Sequence, residues 1–327
     1  MRARPSSLLY SMNSQSSARF RCVAVSTAAG LLLSNVTTLS QDAAKPTRPP
    51  TAAATNAPAI TPATLPGAET HTYRDGKPEP MRLHVFKPEG WRAQDHRPAL
   101  VFFFGGGWTR GTPDRAATWA KFAASLGMVG IAPDYRTRER FDTSPLASVA
   151  DGRAALRWIE DHAAELGIDP TRIVVGGSSV GGHVALWTAI AQTPPGSDPK
   201  EAPKTKPCAL ILLSPVSDTS SPIGYTPKRF GADALALSPV HQLDALMPPV
   251  LVFHGDADRT VTNRQSIALH DRLVATSNAC ELVNVPGGDH GFLTQLPEWK
   301  DKAHQIIRDF LTKQQLLPSS ATGSNSK

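Results

Sequence analysis

From Leu83 to Val285 the chain alternates between short apolar runs and longer segments whose apolar residues recur every three or four positions. The runs are Leu83–Phe86, Ala99–Phe104, Val129–Ala132, Ile173–Val175, Ala209–Leu213, Val250–Phe253 and Glu281–Val285. Their length and their β-branched and aromatic content predict strands. The segments Thr118–Leu126, Leu146–Leu166, Gly182–Gln192, Asn263–Thr276 and Trp299–Gln315 have helical spacing. A β-rich start through Thr70–Tyr73 and Met81–Phe86, followed by repeated strand–helix units, predicts an α/β fold. Its core is a mostly parallel twisted sheet of about eight strands with helices on both faces. In such sheets reactive groups belong in the loops at the carboxyl ends of the strands.

What surrounds this alternation is different in kind. Residues 1–40 carry Arg2, Arg4, Arg19 and Arg21, no acid, and the apolar stretch Cys22–Leu33, which is short for a membrane span. A basic start, a short apolar core and small residues near Ser40 read as a cleaved export signal, with Met12 an alternative start. The mature chain is then expected outside the cytoplasm, secreted or periplasmic, with no stable membrane insertion after cleavage; an uncleaved N-terminal anchor is the alternative. Residues 41–67 are rich in Ala, Thr and Pro and read as a disordered linker, and 318–327 as a loose tail. That leaves 68–317 as the folded unit. Removing the four arginines of the leader takes the net charge from +6 to 6 − 4 = +2, so the high isoelectric point gives no reason to expect a nucleic-acid partner. Nothing in the chain sets an oligomeric state.

Three strand-end loops carry chemistry. After Arg172–Val175 comes Gly177-Ser178-Ser179-Val180-Gly181, a GxSxG pattern centred on Ser179. Centring it on Ser178 puts Val180 where the second glycine belongs, so Ser178 is not the nucleophile. The glycines fit because a sharp strand-to-helix turn holds the serine in a strained conformation that crowds its neighbours.

A serine hydroxyl needs a base, and the base needs an acid to hold it. The loop after Val250–Phe253 offers Asp256 and Asp258, and the loop after Glu281–Val285 offers His290 between glycines. An aspartate early in a loop can simply cap backbone N–H groups, which suits Asp256. The strand Ala99–Phe104 ends in Gly105-Gly106-Gly107-Trp108, whose bare backbone can approach a substrate carbonyl. Neither a following lysine nor a GxGxxG spacing supports a phosphate cradle there.

Together these motifs resemble the α/β-hydrolase superfamily, in particular carboxylesterase-like members with an HGGG or HGGxW loop: hormone-sensitive-lipase-like esterases, arylformamidases, and bacterial acetyl-xylan or feruloyl esterase domains. The resemblance spans residues 68–317. It includes Pro133-Asp134-Tyr135-Arg136 and the approach Ala150–Ile173 to the nucleophile strand. It implies that Ser179, Asp258 and His290 form the catalytic triad, with Asp258 the second aspartate of an HGxxDxxV loop. It implies an oxyanion hole from the N–H groups of Gly106, Gly107 and Val180, and Trp108 in contact with substrate. Phe104 stands where the family has histidine, which puts the rigidity of the glycine loop in question.

The resemblance further implies hydrolysis of carboxylic esters through an acyl-enzyme, with a small ester or an acylated polysaccharide as substrate. Arylformamidase or prolyl-oligopeptidase-like activity, or a non-catalytic binding role, are the alternatives. No cofactor or metal is expected, because HExxH, CxxC and dinucleotide fingerprints are missing. The ~35 residues between the sixth and seventh strands are too few for a large helical lid. The family's strand order separates Cys208 and Cys280 by two strand spacings, ~10 Å, which predicts free, buried thiols.

Overall fold

The computed structural model describes residues 60–317, apart from 221 and 223. The expected leader and tail lie outside the described residues, as does most of the expected linker. Eight strands form one sheet: β1 (Glu69–Arg74), β2 (Met81–Phe86), β3 (Arg97–Phe103), β4 (Val129–Pro133), β5 (Ile168–Ser178), β6 (Ala209–Leu213), β7 (Val250–Gly255) and β8 (Cys280–Val285). The order across the sheet is β1-β2-β4-β3-β5-β6-β7-β8. β1 and β2 run antiparallel to their neighbours, and β3 to β8 are parallel. This is the α/β-hydrolase fold.

Eight helices accompany the sheet among the described residues: α1 (Asp114–Ser125), α2 (Arg138–Phe141), α3 (Pro145–Asp161), α4 (Val180–Ala189), α5 (Pro239–Gln242), α6 (Arg264–Ala275), α7 (Phe292–Gln295) and α8 (Glu298–Lys313). The five longer ones are those predicted from helical spacing. The single turns α2, α5 and α7 are too short to carry a periodic signal. α3 ends at Asp161, five residues before the expected Leu166, because the chain turns back there, Ile168 N–H reaching Ala163 O at 2.8 Å.

Successive side chains of a strand point to opposite faces, and β3 uses both. The Phe102 ring stacks on Trp119 of α1, 5.3 Å between centroids. Phe103 lies on the other side, towards Gly152 of α3 and Val184 of α4. α8 joins α1 on the first face through the stacked pair Phe122 and His304. β4, β6 and β7 are wholly buried, as are β3 from Ala99 and β5 from Ile173 to Gly177, as expected for a parallel sheet covered on both sides.

The packed body begins earlier than residue 68. Leu65 is buried in the core, and the Thr61 hydroxyl donates to Asp134 Oδ2 at 3.1 Å. Asp134 is itself buried in an ion pair with Arg140, whose guanidinium reaches both carboxylate oxygens. A polar residue is drawn in because that buried carboxylate has lone pairs to satisfy. Composition alone gave Thr61 no reason to be ordered.

Cys208 and Cys280 are unbridged, with β7 standing between their strands. Both are half-buried rather than fully buried, since they sit at the exposed amino ends of the sheet.

Candidate active site

β5 ends at Ser178, and α4 begins at Val180. Ser179 sits between them at φ 56°, ψ −121°, a conformation that L-residues rarely adopt. The fold sustains it with backbone hydrogen bonds: Ser179 N–H donates to Leu213 O at 2.9 Å, and Val216 N–H donates to Ser179 O at 3.1 Å. At Gly181 an added Cβ would lie 2.2 Å from Phe103 O, so only glycine lets the elbow press against the end of β3.

The loop after β7 turns the two aspartates in opposite directions. Asp256 caps the neighbouring loop, accepting from Gly287 N–H at 2.7 Å and from Asn284 Nδ2 at 3.3 Å. The buried Asp258 points the other way: its Oδ2 is 2.7 Å from His290 Nδ1 and 3.2 Å from His254 Nε2. Its Oδ1 accepts the N–H groups of Thr260 and Val261 at 2.8 and 3.0 Å. Burial alone would raise this carboxyl, but the hydrogen bonds from the two histidines and from Val261 outweigh it and hold it well below the usual carboxylate range.

An ionised carboxylate can only accept, so His290 Nδ1 carries the proton. In the neutral ring Nε2 is then the bare nitrogen, with no hydrogen-bond partner among the described residues. The same logic fixes His254: Nε2–H faces Asp258 Oδ2 and Val261 O, while Nδ1 accepts from Ser266 Oγ at 2.6 Å. His254 has no reading in the sequence beyond its place in the acid loop.

The glycine loop presents its donors. Gly106 O accepts the N–H of Thr109 and Arg110 at 3.2 and 3.1 Å, whereas the N–H groups of Gly106 and Gly107 have no acceptor among the described residues. Gly106 sits at φ 153°, and an added Cβ would meet Arg110 O at 1.8 Å. Val180 opens α4, so its N–H has no intrahelical partner. Phe104 takes the place of a polar anchor by stacking on Tyr135 at 4.1 Å, and Tyr135 Oη donates to Phe104 O at 2.7 Å. The end of β3 is thus held by a ring stack and a phenol.

Ser179, His290, Gly106 and Gly107 line one cleft of about 620 Å³. Trp108 does not line it. Its side chain is buried, edge-on to His183 and Phe230 at 5.2 and 5.0 Å, and packs beneath the glycine loop at the border of the neighbouring cleft that holds Asp142. The residue after three glycines must be pulled inward to anchor a loop with no side chains of its own. The segment between β6 and β7 holds only short helical turns among the described residues, yet it supplies Tyr225 and Arg229 to the cleft wall. The Arg229 guanidinium donates to Gly107 O. No sequence pattern marked these two residues, because the stretch that carries them is irregular.

A strained serine at a strand–helix elbow, a histidine tied to a carboxylate, and free loop N–H groups on one cleft define a serine-hydrolase type of site. Known proteins of similar sequence and structure define the family. The α/β-hydrolase-fold family model matches residues 100–230, and that of the prolyl oligopeptidase family matches residues 222–315. A carboxylesterase of Mycobacterium tuberculosis is 31% identical over 220 residues, 61% of this chain and 68% of its own. An ethyl acetate hydrolase of Pseudomonas putida is 30% identical over 246 residues, 68% of this chain and 74% of its own. Esterase 2 of Thermogutta terrifontis superposes with a TM-score of 0.71 at 35% identity, over 78% of this chain and 97% of that one. The chain belongs to the α/β-hydrolase superfamily, among its carboxylesterase-like members, and is a carboxylic ester hydrolase.

Proposed function

We propose that Ser179 is the nucleophile of an acyl-enzyme reaction on short-chain carboxylic esters. The observation that carries the reading is the 2.7 Å bond from His290 Nδ1 to an ionised Asp258, which leaves Nε2 basic on the cleft that Ser179 lines. Ser179 Oγ attacks the acyl carbon while His290 Nε2 takes its proton; the imidazolium formed is stabilised by Asp258. The N–H groups of Gly106, Gly107 and Val180 stabilise the oxyanion. Collapse expels the alcohol with the proton from His290, and water repeats the sequence to release the acid.

Short acyl groups are supported by the Pseudomonas putida relative, named for ethyl acetate, and by T. terrifontis esterase 2, whose structures include butyrate-bound and propionate-bound forms. The basic, then apolar, leader supports export, which would bring acylated polysaccharides within reach. Release of acetate from acetylated xylan tests that second substrate. Turnover of p-nitrophenyl acetate and butyrate by the intact protein and by Ser179→Ala tests the first. Hydrolysis that survives the substitution would remove Ser179 from the mechanism.

A further inference from the structure

We propose that the cleft selects esters bearing a carboxylate near the scissile bond, held by Arg110, Arg115 and Arg229. This rests on the reading of Ser179 and His290 above and adds the charge of the substrate to it. Residues 60–317 are formally neutral. Taking the seven cations and one acid outside that span from the chain totals of 34 and 28 leaves 27 of each. The cleft is not neutral: the three arginines line it together with Ser179 and His290, against a single acid, Glu139.

None of the three forms an ion pair among the described residues. Arg136 and Arg140, by contrast, each grip a buried carboxylate at 2.7 and 2.5 Å. Two of the three are tied to the glycine loop. Arg229 reaches from the opposite wall to donate to Gly107 O, and the Arg110 N–H donates to Gly106 O at 3.1 Å. Arg115 stands in the first turn of α1. Glu139 is placed from the backbone, its N–H on Thr109 O at 2.9 Å. A shallow neighbouring cleft shares Arg229 and holds Asp142, without an ion pair between them.

Like charges gathered in a cleft repel one another and focus the field on an incoming anion. A carboxylate relieves that repulsion and accepts charge-assisted, often bidentate, bonds from guanidinium. A neutral acetate ester would use none of this.

The test compares kcat/KM for two pairs: p-nitrophenyl acetate against mono-p-nitrophenyl succinate, with the anion on the acyl side, and phenyl acetate against 4-acetoxybenzoate, with the anion on the alcohol side. The intact protein should prefer the anionic member of one pair by about tenfold, the product of two or three exposed charge pairs. The preference should shrink in ~0.5 M salt. Arg110→Gln with Arg115→Gln, and separately Arg229→Gln, should remove most of it, and the responding pair identifies the side. No preference in either pair, or one that the substitutions leave intact, overturns the proposal. Calorimetric titration of Ser179→Ala with succinate and with acetate gives a readout that needs no turnover. Succinate binding that the arginine substitutions abolish upholds the anionic cleft even if no ester is hydrolysed, in which case only the nucleophile reading falls. Succinate binding that the arginine substitutions leave unchanged overturns it.

Discussion

His290 Nδ1 lies 2.7 Å from Asp258 Oδ2, and the same oxygen faces His254 Nε2 at 3.2 Å. One carboxylate oxygen thereby fixes the tautomers of two imidazoles. Asp258→Asn places an amide there that can offer N–H to a ring nitrogen and favour the wrong tautomer of His290. We expect kcat for p-nitrophenyl acetate to fall by about 10³–10⁴ with KM little changed. A loss under tenfold would take Asp258 out of the proposed role.

His254→Phe keeps an aromatic ring, a somewhat larger one, but removes the bonds to Ser266, Val261 and Asp258. The orphaned Ser266 hydroxyl and freer carboxylate should cost about 1–3 kcal/mol in denaturant unfolding and reduce kcat by about tenfold. His254→Gln, which can donate on one side and accept on the other, should recover part of both. If stability falls while kcat is untouched, His254 serves the fold alone.

His183 follows the elbow in α4, fully buried, with Nε2 on Leu237 O at 2.8 Å and Nδ1 unpartnered. Burial, only partly offset by that carbonyl, pushes its pKa down to about 4 from an ordinary 6.5. The unfolded chain therefore takes up this proton more readily than the folded one. Stability should be intact above pH 6.5, fall as the pH drops towards 4, and level off below, a loss on the order of 3 kcal/mol. His183→Gln should make that slope shallower, leaving the share of His84, which its own burial also pushes down to about 4. Unfolding midpoints at pH 7 and pH 4.5 measure it, and an equal slope in both proteins would assign the acid sensitivity elsewhere.

Tyr135→Phe preserves the stack on Phe104 and deletes only the hydrogen bond to the Phe104 carbonyl. The expected cost is about 1 kcal/mol in stability. A fall of a few-fold in kcat is expected as well, because that bond steadies the strand end from which the glycine loop leaves. Phe104→His should not raise activity. It would bury ring nitrogens against a phenyl-shaped pocket, and a lower melting temperature than the parent's would report it.

All eight strands and five helices were legible, the strands as short apolar runs suited to a buried parallel sheet and the helices because each is long enough for a period of 3.6 to repeat. Ser179 and His290 were legible for a related reason: each sits in a strand-end loop whose glycines mark a turn. Asp258 stands two residues from Asp256 in one loop, and only the early position that suits Asp256 to capping, together with the family resemblance, separated the two. Their opposite orientations depend on Gly287 and His290, some thirty residues on. Trp108 was misjudged because sequence gives adjacency to the glycine loop but not direction, and the ring turns inward onto His183. Arg229 and Thr61 were invisible for want of any pattern. Their partners, Gly107 and Asp134, are 122 and 73 residues away.

The two cysteines that flank β7 make the molecule its own clock. Burial raises the Cys208 thiol to about 11 and the Cys280 thiol to about 12, so at neutral pH only about one in 10⁴ or fewer of these two thiols is ionised while the sheet is folded. Unfolding would raise that fraction by about a hundredfold or more. Alkylation timed against pH would therefore record how often the far edge of the sheet comes apart, without a label or a mutation.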